Sequence, residues 1–121
     1  MFEVHEWFEN SPHLMRDVFC ETLLELAAEN ENIVVLDADL VSSSGMKPFF
    51  TKFQDRAIQC GIAEANMIGI AAGLSAMGKI PFAHSFGTFA SRRVCDQLFM
   101  SAAYAKLNVR IIGTDPGVTA A

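Results

Sequence analysis

Paired cysteines are missing from the sequence, and basic residues are in the minority. The three cysteines, Cys20, Cys60 and Cys95, are odd in number and form no C-x-x-C pair, which argues against a disulfide framework and against a zinc site. Nine Lys and Arg stand against fourteen Asp and Glu, for a formal net charge of -5. This acidic balance does not fit a nucleic-acid-binding surface. We therefore expect reduced thiols, a cytoplasmic location, no metal site on this chain and no nucleic-acid partner.

Long hydrophobic runs and targeting segments are also lacking. The longest uncharged stretch, residues 65–78, has fourteen residues, fewer than the roughly 18 to 20 that a membrane-spanning helix needs. The amino end carries Glu3, Glu6 and Glu9 instead of the basic start of a signal peptide. No membrane partner is expected. The length of 121 residues predicts a leader over 1–10 and one domain over 11–121.

Charge is scarce in the middle of the chain. Residues 57–105 hold five charged residues, whereas residues 1–39 hold eleven. A domain this small cannot bury so long an apolar stretch by itself, and large exposed apolar patches usually mark association surfaces. The pattern predicts an obligate interface formed by the 57–105 region, and therefore an oligomer. The alternative is a very apolar core inside a larger polypeptide.

Apolar periodicity predicts helices that alternate with strands. Ser11 as N-cap and Pro12 at the first helical position predict an amphipathic helix over 12–29. Further helices are expected at about 47–56, 63–78 and 91–106, and strands at 33–36, 57–60, 80–84 and 109–113. This alternation predicts an α/β fold with a three-layer α/β/α arrangement around a mostly parallel sheet. The 63–78 helix has a face of small residues that would let another backbone approach: Gly69, Ala72, Gly73 and Ala76.

Polar residues follow each of the predicted strands. Ligands of parallel sheets bind beyond the carboxyl ends of the strands. Four polar groups fall there, namely Asp37 with Asp39, Glu64, residues 84–89, and Thr114 with Asp115. This convergence is the first indication of a functional site. His84 taken alone is explained most simply as a hydrogen-bonded histidine at a strand end.

Glu64 is the only acidic residue between Asp55 and Asp96. The simpler explanation places it in the first turn of a helix, where the macrodipole stabilises a carboxylate by roughly 0.3 to 1 kcal/mol. The functional alternative is a buried carboxyl group, because a carboxyl group in apolar surroundings holds its proton more readily and can share it with a basic ring nitrogen of a ligand. The residue pattern alone leaves both explanations open.

Three segments of the chain carry a resemblance to a known family. Residues 55–67 (DRAIQCGIAEANM), 69–74 (GIAAGL) and 78–82 (GKIPF) resemble the pyrimidine-binding domain of transketolases. The resemblance extends from about Arg16 to Ala121 and is strongest with the separate carboxy-terminal subunit of split, two-gene transketolases. It implies thiamin diphosphate as cofactor and transfer of a two-carbon ketol unit from a ketose to an aldose phosphate.

The resemblance also implies a partner. The family's GDG-type segment with a following asparagine is absent from the sequence, so Mg²⁺ and the cofactor's diphosphate are expected on a separate diphosphate-binding subunit. Family members continue beyond residues 114–117 into a substrate loop and a third domain. We therefore expect the chain to be a truncated pyrimidine-binding domain, incomplete at its carboxyl end, with little or no transketolase activity alone.

In the family, the glutamate at the position of Glu64 hydrogen-bonds the N1′ atom of the cofactor's aminopyrimidine. It favours the imino tautomer, whose exocyclic nitrogen takes the proton from C2 of the thiazolium ring. The resemblance implies the same catalytic role for Glu64, and it implies that Phe86 and Phe89 flank the pyrimidine ring. Without the resemblance, two of the ten phenylalanines are more simply assigned to the core.

Other residues receive roles from the resemblance as well. Asp39 matches an acidic residue that lines the cofactor site near the thiazolium, although a turn or helix cap explains it equally well. Ser43 and Arg16 match residues that contact the substrate phosphate, and exposure is the simpler explanation for Arg16. Arg92 stands where some transketolases carry a third aromatic, and with Arg93 it forms a basic pair expected to face solvent or to bridge subunits.

Three other functions remain open at this point. A 1-deoxyxylulose-5-phosphate synthase-like or a pyruvate-dehydrogenase E1 beta-like thiamin enzyme component would also carry a glutamate at the position of Glu64. A non-catalytic assembly domain would use the apolar helices only to join subunits. The enzyme functions require the Glu64 carboxyl group to face a ligand-sized cleft, whereas the assembly function allows it to be paired inside the protein.

Overall fold

The computed structural model describes residues 11–117. The predicted leader over 1–10 and the last four residues lie outside the described residues. Helix α1 (Met15–Glu29) precedes strand β1 (Ile33–Asp37), helix α2 (Lys47–Lys52), a 3-10 turn (Gln54–Arg56) and strand β2 (Ala57–Gln59). Helix α3 (Glu64–Ala76), strand β3 (Ile80–Phe86), a helical segment over 89–103 and strand β4 (Arg110–Thr114) complete the order.

The four strands form one parallel sheet in the order β2-β1-β3-β4. The α/β fold predicted from the alternation of elements is therefore confirmed. Parallel pairing brings the carboxyl ends of the strands to one edge of the sheet. The register pairs Asp37 with His84 and Phe86 with Thr114, so residues from the ends of three strands meet there.

Helices cover both faces of the sheet. Successive strand residues point to opposite faces: Val34 and Leu36 of β1 pack with Met67 and Ile68 of α3, whereas Ile33 and Val35 pack with Cys20 and Leu23 of α1 and with Phe49 of α2. The predicted three-layer arrangement is thus confirmed. None of the helices within residues 11–117 is long and apolar enough to cross a membrane.

Helix α1 begins three residues later than predicted. Leu14 holds the N-cap position and makes no side-chain cap. The Ser11 hydroxyl accepts a hydrogen bond from the backbone N–H of His13 at 3.2 Å, so it closes a local turn and does not cap the helix. The prediction of Ser11 as N-cap and Pro12 at the first helical position is wrong because serine offers this turn as an alternative to the cap.

The helical segment over 89–103 differs from the regular α-helix predicted for 91–106. Residues Phe89–Arg93 and Leu98–Ala103 are π-helical, and Cys95–Gln97 between them are α-helical. A π-helical turn takes more residues than an α-helical one, and such turns are frequent at functional sites. Because of this wider winding, the predicted α-helical periodicity does not describe which side chains face the sheet.

Three members of the small-residue face of α3, Gly69, Gly73 and Ala76, are exposed in the described chain, whereas Ala72 is buried. No atom lies within 4 Å of the position that a Cβ would take at Gly69 or Gly73. Large apolar side chains are exposed in the 57–105 region, namely Ile62, Met77, Phe99, Met100 and Tyr104, and also around the start of α1. The interface predicted for 57–105 stays a prediction.

Candidate functional site

Glu64 lies at the start of α3, after the short loop 60–63 that follows β2. Gly61 has a backbone φ of 69°, a conformation that glycine adopts without strain, and the chain turns there from the sheet into the helix. Glu64 is the first residue of α3 and is only 4% exposed. The structure therefore combines the two explanations of Glu64, since its carboxylate is both in a first helical turn and buried.

Arg93 is the partner of this buried carboxylate. Its Nη1 atom donates a hydrogen bond to Glu64 Oε1 at 2.9 Å. The Arg93 guanidinium also lies over the ring of Phe89, with 3.9 Å from Cζ to the ring centroid, a cation–π contact. The Arg93 side chain remains 47% exposed, as expected for a solvent-facing residue, but its contact with Glu64 was not predicted.

A shallow cavity of about 390 Å³, wide open to solvent, lies beside this ion pair. Its walls are formed by Thr88, Phe89, Arg92 and Arg93. Arg93 thus contacts Glu64 and lines the cavity at the same time. The rings of Phe86 and Phe89 lie with their centroids 6.3 Å apart and their planes at 48°. A buried acid, an aromatic wall and a cavity fit a flat heteroaromatic ring with a basic nitrogen.

Asp37 and His84 form a second buried pair at the same sheet edge. The distance from His84 Nδ1 to Asp37 Oδ2 is 3.1 Å, and the side chains are 1% and 0% exposed. The other carboxylate oxygen of Asp37 accepts the backbone N–H of Leu40. Sequence reasoning missed this pair because it did not foresee that β1 and β3 are neighbours.

The other predicted site residues do not line the cavity beside Glu64. Asp39 is exposed, has a left-handed φ of 65° and donates its backbone N–H to Gln59 Oε1 at 2.8 Å. No hydrogen bond or ion pair among residues 11–117 joins Asp39 to Glu64. Arg16 and Ser43 are brought together, since Arg16 Nη1 donates to the backbone carbonyl of Ser43 at 3.2 Å. The roles predicted for these three residues stay predictions.

The site contains no metal-ligating cluster within the described part of the chain. No group of three or more His, Cys, Asp or Glu side chains there could hold a metal ion. The side chains at the site are instead one acid, two arginines and two phenylalanine rings.

The sequence of this α/β domain has relatives. Residues 12–121 match the family of the transketolase pyrimidine binding domain. The chain belongs to this family. Transketolases use thiamin diphosphate, and the buried Glu64, the aromatic pair and the adjacent cavity lie within the matched part of this pyrimidine-binding domain.

Individual relatives of this pyrimidine-binding domain come from two kinds of enzyme. The 6-deoxy-6-sulfo-D-fructose transketolase subunit of Clostridium sp. is 59% identical over 108 residues, which are 89% of this chain and 34% of the relative. The 1-deoxy-D-xylulose-5-phosphate synthase of Azobacteroides pseudotrichonymphae is 38% identical over 103 residues, 85% of this chain and 16% of the relative. The chain therefore spans about a third or less of these relatives' length.

A solved structure shares the fold. It is a split-gene transketolase in the form of an inactive beta4 tetramer, with a TM-score of 0.74 and 47% identity. The match covers 81% of this chain and 32% of that chain. The expected resemblance to a subunit of a split transketolase is confirmed.

Proposed function

We propose that this chain is the pyrimidine-binding half of a thiamin-diphosphate-dependent transketolase. It would transfer a two-carbon ketol unit from a ketose to an aldose phosphate together with a diphosphate-binding partner subunit. The observation that carries the proposal is the buried carboxylate of Glu64, which starts α3 beside a cavity walled by Phe89, in a chain of the transketolase pyrimidine-binding domain family.

The residues of this chain would bind and orient the cofactor. Thiamin diphosphate, when bound, supplies the electron sink for the ketol unit. Glu64 would hold a proton at the N1′ nitrogen of the pyrimidine, and Phe86 and Phe89 would pack against the ring. Arg93 holds Glu64 Oε1 at 2.9 Å, so the pyrimidine has to share this oxygen with the guanidinium or bind the other carboxylate oxygen. Mg²⁺ and the diphosphate would be held by the partner subunit.

The substrate would carry an anionic group at the end remote from the reacting carbons. Arg16 and Ser43 lie together at the carboxyl edge of the sheet, where this group would bind. The Clostridium relative acts, by its name, on 6-deoxy-6-sulfo-D-fructose, so a sulfonate or a phosphate would suit the same position. A panel of phosphorylated and sulfonated ketoses would decide between a role in pentose phosphate metabolism and one in sulfosugar metabolism.

The alternatives are less well supported. The 1-deoxy-D-xylulose-5-phosphate synthase relative is 38% identical, against 59% for the transketolase subunit. The non-catalytic assembly function accounts for the ion pair of Glu64 with Arg93, but it gives no reason for the open cavity beside that pair. The solved split-gene transketolase is an inactive beta4 tetramer, as expected if chains of this kind need a second subunit for catalysis.

The test is reconstitution of the chain with a diphosphate-binding subunit, thiamin diphosphate and Mg²⁺. Glu64→Gln, which keeps the shape and removes the acid, should lower the rate of ketol transfer by about 10²- to 10⁴-fold. Glu21→Gln, a change at an exposed acid of α1, is the matched control and should have no effect. Wild-type turnover in the Glu64→Gln assembly would refute the proposal.

A further inference from the structure

A second cavity lies on the opposite face of the sheet from Glu64. It has a volume of about 160 Å³, and its walls include Arg16, Phe19, Ser44, His84 and Thr114. It adjoins a wider cavity of about 430 Å³, with which it shares Arg16 and Thr114. The larger cavity leads toward Asp115 at the carboxyl end of β4.

The contact with Asp37 fixes which nitrogen of the His84 ring carries the hydrogen and which one can accept a hydrogen bond. A carboxylate only accepts hydrogen bonds, so His84 Nδ1, 3.1 Å from Asp37 Oδ2, must carry the hydrogen. In the neutral ring, Nε2 is then an acceptor with a free lone pair. The two ring nitrogens lie on different sides of the imidazole, so Nε2 is turned away from the carboxylate that holds Nδ1.

Two buried polar atoms at this cavity have no protein partner. His84 Nε2 and Thr114 Oγ1 are buried and make no hydrogen bond to any described residue. Buried polar atoms are nearly always hydrogen-bonded, and exceptions call for a functional or structural explanation. A purely structural link between β1 and β3 explains the Nδ1 contact, but it explains neither Nε2 nor the Thr114 hydroxyl.

We propose that His84, oriented by Asp37, binds a hydroxyl group of the sugar substrate and so contributes to substrate specificity. The ligand hydroxyl donates its hydrogen to His84 Nε2, and the Thr114 hydroxyl binds a neighbouring oxygen of the same ligand. The guanidinium of Arg16 at the same cavity selects a ligand that is anionic as well as hydroxylated. This inference rests on the proposed function, because it places the sugar of the transketolase reaction in this cavity.

Two substitutions of His84 separate the substrate role from a structural role. In His84→Asn the amide can still donate a hydrogen bond from the position of Nδ1 to Asp37, but the acceptor at the position of Nε2 is lost. In His84→Gln an amide oxygen can take the position of Nε2. Asp37→Asn tests Asp37 as a positioning residue, since it weakens the orientation of the ring without touching the ligand.

The experiment uses the chain assembled with its diphosphate-binding subunit. Calorimetric titration compares D-ribose 5-phosphate with its 2-deoxy and 3-deoxy analogues and with inorganic phosphate. The wild type should bind ribose 5-phosphate about tenfold more tightly than one of the deoxy analogues, as expected for a single hydrogen bond. His84→Asn should abolish this preference and leave phosphate binding unchanged, and His84→Gln should restore part of it.

Steady-state kinetics provide the second measurement. His84→Asn should raise KM for ribose 5-phosphate about tenfold with little change in kcat and no change in KM for the selected deoxy analogue. Retention of the full preference in His84→Asn, or an equal loss of affinity for all ligands including inorganic phosphate, would overturn the proposal. Asp37→Asn should weaken the preference without abolishing phosphate binding.

One further variant keeps the result unambiguous. Thr114→Val retains the side-chain shape and should weaken ribose 5-phosphate binding while the unfolding temperature is kept, so it tests the cavity even if a His84 variant fails to fold. Unchanged affinity in Thr114→Val would count against the proposal. Because titration measures binding directly, a failure of ketol transfer in the Glu64 experiment would remain distinguishable from a failure here.

Discussion

The carboxylate of Glu64 is held by the guanidinium of Arg93, with 2.9 Å between Oε1 and Nη1. The acid is 4% exposed, whereas the arginine is half exposed and forms part of a cavity wall. Arg93 therefore stands between the buried acid and a ligand that enters the cavity. A pyrimidine that hydrogen-bonds Glu64 Oε1 must compete with it.

Removal of this competitor should strengthen cofactor binding and weaken the fold. In Arg93→Met the pyrimidine no longer has to displace a guanidinium from Glu64, so we expect tighter binding of thiamin diphosphate in the assembly. The free energy of unfolding should fall by about 1 to 2 kcal/mol, because a buried carboxylate loses its hydrogen-bond donor at a partly exposed site. Calorimetric titration and urea unfolding measure the two effects.

Arg92→Met is the matched control for this prediction. Arg92 lines the same cavity, but no ion pair with Glu64 is formed by it within residues 11–117. Arg92→Met should change neither the affinity for thiamin diphosphate nor the free energy of unfolding by much. Weaker binding of thiamin diphosphate in Arg93→Met than in Arg92→Met would contradict the prediction, because it would show that Arg93 helps to bind the cofactor.

Gly113 and Gly73 should respond to alanine with opposite signs. A Cβ at Gly113 would lie 2.9 Å from Cα of Gly87, closer than folded proteins allow, so Gly113→Ala must push apart β4 and the chain that leaves β3. We expect a lower unfolding temperature and weaker cofactor binding, since Phe89 follows this crossing. Gly73→Ala meets no atom within 4 Å and should stabilise the exposed helix by about 0.5 to 1 kcal/mol. If both substitutions raised the unfolding temperature, or both lowered it, the result would contradict the packing described for Gly113 and Gly73.

Phe49 should be a large contributor to stability. Its side chain, which projects from α2, is 0% exposed between α1 and the sheet, and its ring lies 5.2 Å from that of Phe53. Phe49→Ala should lower the free energy of unfolding by about 3 to 5 kcal/mol. Met77→Ala removes a side chain that is 82% exposed and should change it by less than about 0.5 kcal/mol. Urea titration compares the two, and similar costs would place Phe49 outside the core.

The three cysteines should react with thiol reagents in a fixed order. Cys95 is exposed, Cys60 is partly buried and Cys20 is buried. Burial raises the pKa of the Cys20 thiol and of the Cys60 thiol, and the charge of Asp37 raises that of Cys60 further. Since the thiolate is the reactive form, we expect Cys95 to be labelled first at pH 8. Cys95→Ser should abolish the fast phase, and a fast phase that persists would contradict the burial described.

The same shifts predict a loss of stability in alkaline solution. A thiol whose pKa is higher in the folded chain than its ordinary value of 9.0 favours folding while it is protonated. This contribution is complete below pH 9.0 and is lost as the pH rises through the folded-state pKa. Urea unfolding between pH 8 and 11 should show a steeper decline for the wild type than for a Cys20→Ala, Cys60→Ala double variant.

Apolar periodicity was sufficient to predict the location of every strand to within two residues. The run over 33–36 and the segment over 80–84 are uncharged and buried on both sides, which is the pattern of inner parallel strands. Element boundaries were less certain, as at Ser11 and Pro12, because a local turn competed with the helix cap. The π-helical turns at Phe89–Arg93 were outside what an α-helical pattern can predict.

The sequence by itself determined the α/β fold, the family and the prominence of Glu64, because these depend on local patterns and on short motifs. The pairing of Glu64 with Arg93, 29 residues away, and of Asp37 with His84, 47 residues away, was decided only by the tertiary structure. The physical reason is that these contacts depend on which strands become neighbours and on how the 89–103 segment winds across the sheet. Neither property is encoded in the spacing of the residues that meet.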